Sequence, residues 1–111
     1  MSKIDLNTFN LLKETTGADF ISELIDSFLE DAPNLITQMR SALANTDADA
    51  FRRAAHSMKS NAATFGAMEL STLARELEIF GRDKNLKIGN RLEVMEESFH
   101  QTANQLKKLK A

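Results

Sequence analysis

The chain has 111 residues, sixteen acidic and fourteen basic, for a net charge of −2, a length that suits one domain around one core. Cysteine is absent, which removes disulfides, thiolate metal sites and cysteine nucleophiles together and fits a reducing compartment. The balanced charge offers no global basic field for nucleic acid. No apolar run approaches the roughly 20 residues needed to span a bilayer, and the opening MSKIDLNTF lacks a signal-peptide stretch, so a soluble cytoplasmic domain is expected.

One proline, four glycines and no hairpin dipeptides make the expected class all-α. In chain order, Asp5 can cap a short first helix carrying Leu6, Phe9 and Leu12 and ending near Gly17. A longer helical segment starts at about Asp19, with Ile21, Leu24, Ile25 and Phe28 at helical spacing. Pro33 either opens a new helix or kinks a continuous one. The apolar pattern resumes in register at Leu35, Ile36, Met39 and Leu43, so both pieces are expected along one axis. Asn45 to Asp47 mark a turn, with Asp47 as N-cap of the next helix.

That helix, DADAFRRAAHSMKSNAATFG from Asp47 to Gly66, places Phe51, Ala54, Ala55, Met58, Ala62 and Phe65 on one apolar stripe. Leu70, Leu73, Leu77 and Phe80 make the stripe of the following helix, which Gly81 and Asp83 to Asn85 are expected to close. A last helix is expected from about Leu86, carrying Ile88, Leu92, Met95, Phe99, Leu106 and Leu109. Short connections imply antiparallel neighbours. The expected fold is an antiparallel up-down four-helix bundle with a short additional N-terminal helix, forming a single domain over residues 1–111.

His56 sits on the wrong side of its helix for a core residue. At about 100° per residue it points away from the centre of the apolar stripe. Arg52 and Arg53 lie one turn before it, Lys59 and Ser60 one turn after, and Ala63 two turns after. An exposed imidazole flanked by cations and small side chains suits an anion, in particular a phosphoryl group carried on the ring. On the next helix, Ala67, Ser71, Ala74 and Glu78 form a row of mostly small side chains. An antiparallel crossing gives Glu78 the reach to accept a hydrogen bond from the imidazole; it can equally be a surface charge paired with Arg75 or Arg82. His100 has Phe99 in the adjacent core place and ordinary surface neighbours, and reads as structural or solvated. Gly-rich phosphate loops are absent, so any phosphoryl group must be supplied by another domain.

The series AAHSMKSNAATFGA, Ala54 to Ala67, followed by LSTLARELE, Leu70 to Glu78, resembles the signature of histidine phosphotransfer (HPt) domains. In that family the phosphorylated histidine is followed by a lysine, small residues and a glycine, here Lys59, Ser60, Ala63 and Gly66. Ser60 stands where glycine is frequent. The resemblance implies a phosphorelay module in which His56 accepts a phosphoryl group from a receiver-domain aspartate or donates it to one. Lys59 would stabilise the phosphoryl charge, and Glu78 would stand where the family often has a glutamine or glutamate bonded to the ring. Arg52, Ser60, Ala63, Gly66 and Ala67 would form a low surface for receiver docking. The partners implied are response-regulator receiver domains or a hybrid sensor histidine kinase, with the Mg²⁺ supplied by the receiver and no intrinsic cofactor. A monomer is expected, acting without kinase or nucleotide-binding activity of its own. The rival from another class is a non-catalytic adaptor bundle that binds a partner through a helix face. A metal-binding bundle fits poorly, because neither histidine has a Glu-x-x-His ligand set.

Overall fold

The computed structural model describes residues 3–110, and among these it contains five helices and no strand. They are α1 (Leu6–Thr16), α2 (Ala18–Ala44), α3 (Ala48–Thr64), α4 (Met68–Arg82) and α5 (Arg91–Leu109). Helices α2 to α5 form the four-helix bundle expected from the apolar periodicity. Helix α1 packs only against α2 and α3, and α3 packs most extensively against α4.

Two helix starts are fixed by side-chain caps. Asp5 caps α1 by accepting a hydrogen bond from the Asn7 amide, and Asp47 caps α3 by accepting one from Ala50. Pro33 does not divide the second segment: α2 runs unbroken past it, with Ala32 and Ile36 buried on either side. The proline itself is exposed, so its missing amide lies on the solvent side.

The core is a continuous cluster drawn from every helix, and the whole apolar stripe of α3 lies in it. Phe28 of α2 contacts the rings of Phe65 and Phe99, at centroid distances of 5.3 and 5.8 Å. These contacts join α2 to the end of α3 and to α5.

Three expectations need correction. Leu6 is about half exposed, so α1 is anchored by Phe9 rather than by the full trio. The last helix begins at Arg91, not near Leu86. Ile88 is buried, yet it lies in the loop before the helix, where Gly89 has a φ of +60°. Gly81 does not terminate α4 but lies inside it. A Cβ on Gly81 would sit 2.9 Å from the Cα of Arg52, so the missing side chain lets α4 approach the backbone of α3.

Candidate phosphotransfer site

The site lies at this close α3–α4 contact. Ser71, in the small-residue row of α4, donates a hydrogen bond of 3.0 Å to the backbone carbonyl of Lys59. Together with the Gly81–Arg52 approach, this fixes the two helices one against the other on both sides of His56. Its ring is exposed, with Nδ1 2.7 Å from Oε2 of Glu78.

Glu78 is the centre of the cluster. Its side chain is only 18 % exposed, and its second oxygen, Oε1, takes the Lys59 ammonium at 2.7 Å. Burial alone would raise the carboxyl's pKa. The hydrogen bonds from Lys59 and His56, with their charges, outweigh burial and hold it below its ordinary value. Glu78 is therefore an ionised, acceptor-only group near neutral pH, which requires Nδ1 of a neutral His56 to carry the ring proton. The two ring nitrogens point in diverging directions, so the lone pair on Nε2 is left facing away from Glu78.

The residues singled out in the sequence divide into two sets. His56, Lys59 and Glu78 come together, but Lys59 is engaged by Glu78 rather than standing free beside the ring. Glu78 pairs with neither Arg75 nor Arg82. Ser60 is exposed and Ala63 half-buried on the same face as His56, one and two turns on. Arg52 is held by Asp49 at 3.0 Å, and the same carboxylate takes Arg53 at 3.2 Å. The Arg52 hydrogen bond, then the Arg53 charge, keep Asp49 ionised below its ordinary range.

Gly66 and Ala67 do not belong to a docking surface, because both are buried. Gly66 has a φ of +80° and lies under the start of α1: its carbonyl accepts the Asp5 amide at 2.8 Å, and a Cβ would meet the Asp5 carbonyl oxygen at 2.7 Å. The glycine turns the chain and admits α1.

Two contributions escaped the sequence reading. The Ser71 bond was hidden in a row chosen for its small size. Arg75 and Arg82 join Arg52, Lys59, Glu78 and Ile79 in lining a cleft of ≈ 390 Å³ between α3 and α4. Their spacing on α4, one turn either side of Glu78, was the signal available.

A helical bundle that exposes one imidazole and orients it by a hydrogen bond to a carboxylate has the form of a group-carrier module. The family model described as Hpt domain matches residues 23–111, and the chain belongs to that family, the histidine phosphotransfer domains of phosphorelays. Among solved structures, the crystal structure of histidine-containing phosphotransfer protein B (HptB) from Pseudomonas aeruginosa PAO1 is similar, with a TM-score of 0.89 and 28% sequence identity. The match covers 96% of this chain and 93% of that chain. The search of curated proteins found no match. Domains of this family work with receiver domains and kinases in phosphorelays. Among the described residues no helix is long and apolar enough to cross a membrane.

Proposed function

We infer that His56 is the phosphoacceptor and that it exchanges the group with the aspartate of a receiver domain. The reading rests on one observation, the 2.7 Å contact between Nδ1 and an ionised Glu78, which reserves Nε2 for the reaction. The Nε2 lone pair attacks the phosphorus of an aspartyl phosphate. The N–P bond forms as the P–O bond breaks, and the electron pair leaves on the aspartate oxygen. The Nδ1 proton stays in place, so no proton transfer accompanies the step. The phosphorylated ring gains positive charge, which the Glu78 carboxylate neutralises. The reverse sequence returns the group to a receiver aspartate.

Phosphoryl transfer depends chiefly on positioning and charge stabilisation, and the groups required of this chain are few. Lys59 lies one turn from His56, and its flexible stem lets the ammonium exchange a Glu78 oxygen for a phosphoryl oxygen. Ser60 and Ala63 keep the approach to Nε2 low. The Mg²⁺ belongs to the receiver side: Glu78, the carboxylate beside the ring, is already occupied by His56 and Lys59 and is not available as its ligand. The module acts in the cytoplasm as a monomer.

The test uses phosphorylated receiver domains from the source organism. His56→Gln is expected to fold normally and take no acid-labile label, whereas His100→Gln takes label as wild type does. Acid-labile label on the His56 variant would assign the phosphate elsewhere and overturn the reading.

A further inference from the structure

Among the described residues three polar ones are buried: Ser71 on α4, and Ser98 and Thr102 on α5. The hydroxyls of Ser98 and Thr102 have no hydrogen-bond partner among those residues. That of Ser71 crosses to α3 and donates to the Lys59 carbonyl at 3.0 Å. Alanine fills the neighbouring places of the same row, at Ala67 and Ala74, and would fill this one without a hydroxyl to desolvate. Alanine is also the better helix former. What the serine adds is a directed bond between the two helices that carry His56 and Glu78.

The place of that bond decides what it controls. At one end of the α3–α4 contact Gly81 lies against the backbone of Arg52; at the other, Ser71 is bonded to Lys59. His56 lies between Arg52 and Lys59 on α3, and Glu78 lies between Ser71 and Gly81 on α4. The Gly81 contact is steric and limits how near the helices come. The Ser71 bond is directional and selects where α4 stands along α3. Ala67, Ser71 and Ala74 are all small, so their packing alone resists a slide weakly, whereas a slide leaves a buried hydroxyl unpaired. Lys59 is also tied to Glu78, through its ammonium at 2.7 Å. Ser71 and Glu78 are two turns apart on one face of α4, so loosening the first lets the second drift from the imidazole.

We propose that Ser71 is a positioning residue for phosphoryl exchange: its hydroxyl sets the register of α4 on α3, and with it the placement of Glu78 against the His56 ring. The proposal rests on the acceptor reading of His56 and deepens it. Ser71 acts through Lys59 and α4 rather than on the reacting atoms. Its loss should therefore lower the maximal rate of transfer and leave the affinity for the donor alone.

The test separates placement from stability in the intact chain. Ser71→Ala is expected to fold, because alanine suits the row. Its His56 Nδ1 proton should exchange with water faster, and the ring should shift towards the Nε2–H tautomer, both read by NMR on nitrogen-15-labelled protein. Single-turnover transfer from a phosphorylated receiver domain should slow about tenfold at saturating donor, a part of the ~10²-fold that misplacement by a whole ångström costs. The half-saturating donor concentration should stay as in wild type. Ser71→Thr, which keeps the hydroxyl, should recover most of the rate. Ser98→Ala and Thr102→Val remove hydroxyls that hold nothing, and Ile36→Val removes core volume on α2; all three should keep the wild-type imidazole signals and rate. A Ser71→Ala variant that loses stability while the imidazole signals and the rate stay unchanged overturns the proposal, because the bond would then be structural only. So does slowed transfer with unchanged imidazole signals, because Ser71 would not act through the ring. If wild-type His56 takes no label from any receiver, it is the acceptor reading that fails, while the NMR comparison still reads the register of α4.

Discussion

At the scale of single residues, the chemistry turns on one carboxylate shared by the Lys59 ammonium and the His56 ring. Glu78 is depressed in pKa because Lys59 and His56 outweigh its partial burial. A carboxyl lowered in the folded state contributes stability that is present above its unfolded value, about 4.3, and is lost as pH falls through the lower folded value. Glu78→Gln keeps hydrogen-bonding atoms but removes the charge. It is expected to be less stable than wild type by about 1 kcal/mol at neutral pH, the scale of a partly exposed ion pair. The two stabilities should converge as pH falls from the unfolded value through the lower folded one, where the wild-type carboxyl takes up its proton. Urea denaturation of both proteins across pH checks this, and phosphotransfer should slow modestly in Glu78→Gln and further in Glu78→Ala. A constant gap at all pH values would mean the charge is not what stabilises the cluster. His56 and Glu78 were legible beforehand because helical periodicity and an antiparallel crossing fix which faces meet. The Lys59–Glu78 contact was not, because the carboxylate a flexible lysine chooses depends on a helix separation that no periodicity encodes.

At the scale of helices, the ends of α2, α3 and α4 repeat one hydrogen-bond pattern. In each, an amide reaches back to the carbonyl five residues earlier: Asp47 to Ala42, Ala67 to Ala62 and Asn85 to Phe80, at 2.8, 3.0 and 2.9 Å. The motif needs a left-handed residue just beyond the helix, and the chain supplies Thr46, Gly66 and Lys84, with φ of 52°, 80° and 56°. Left-handed backbone costs an ordinary residue roughly 1–2 kcal/mol, and Thr46 is β-branched as well. Thr46→Gly should therefore raise stability by about 0.5–1 kcal/mol after glycine's greater unfolded freedom is subtracted. Gly66→Ala should go the other way by about 2 kcal/mol, adding a clash with the Asp5 carbonyl to the same backbone cost. Urea midpoints measure both, and the opposite signs are the test. The end of α3 was legible from its glycine. The start of α5 was not: Leu86 and Ile88 continue an apolar spacing, but Ile88 is buried from a loop that turns at Gly89, and spacing alone does not distinguish a loop residue plugged into the core from a helical one.

At the scale of the whole molecule, the bundle is an elongated body, 41 × 25 × 20 Å, whose first and last described residues are tied back by ion pairs. Lys3 reaches Glu69 and Lys110 reaches Asp26, both at 2.6 Å, and Arg40 of α2 pairs with Glu96 of α5. The reacting residues are divided between two helices, so the packing of the bundle is also the tolerance of the site, and Gly81 is where that tolerance is tightest. Its φ is not positive, so the backbone does not require glycine, and alanine would favour the helix by about 1 kcal/mol. Against this, a Cβ would lie 2.9 Å from both Cα and Cβ of Arg52 and 3.0 Å from its amide nitrogen. Backbone cannot swing aside as a side-chain tip can, so α4 must move from α3 by tenths of an ångström, at about 1–3 kcal/mol. Gly81→Ala is expected to lose stability despite its better propensity, and Gly81→Val to lose more. Both should lengthen the His56–Glu78 contact, seen as faster exchange of the His56 Nδ1 proton by NMR, and both should slow phosphotransfer to His56 in the same order. If Gly81→Ala instead gains stability with the Nδ1 proton and transfer rate unchanged, the α3–α4 spacing is set elsewhere, and the glycine is not what holds the imidazole to its carboxylate.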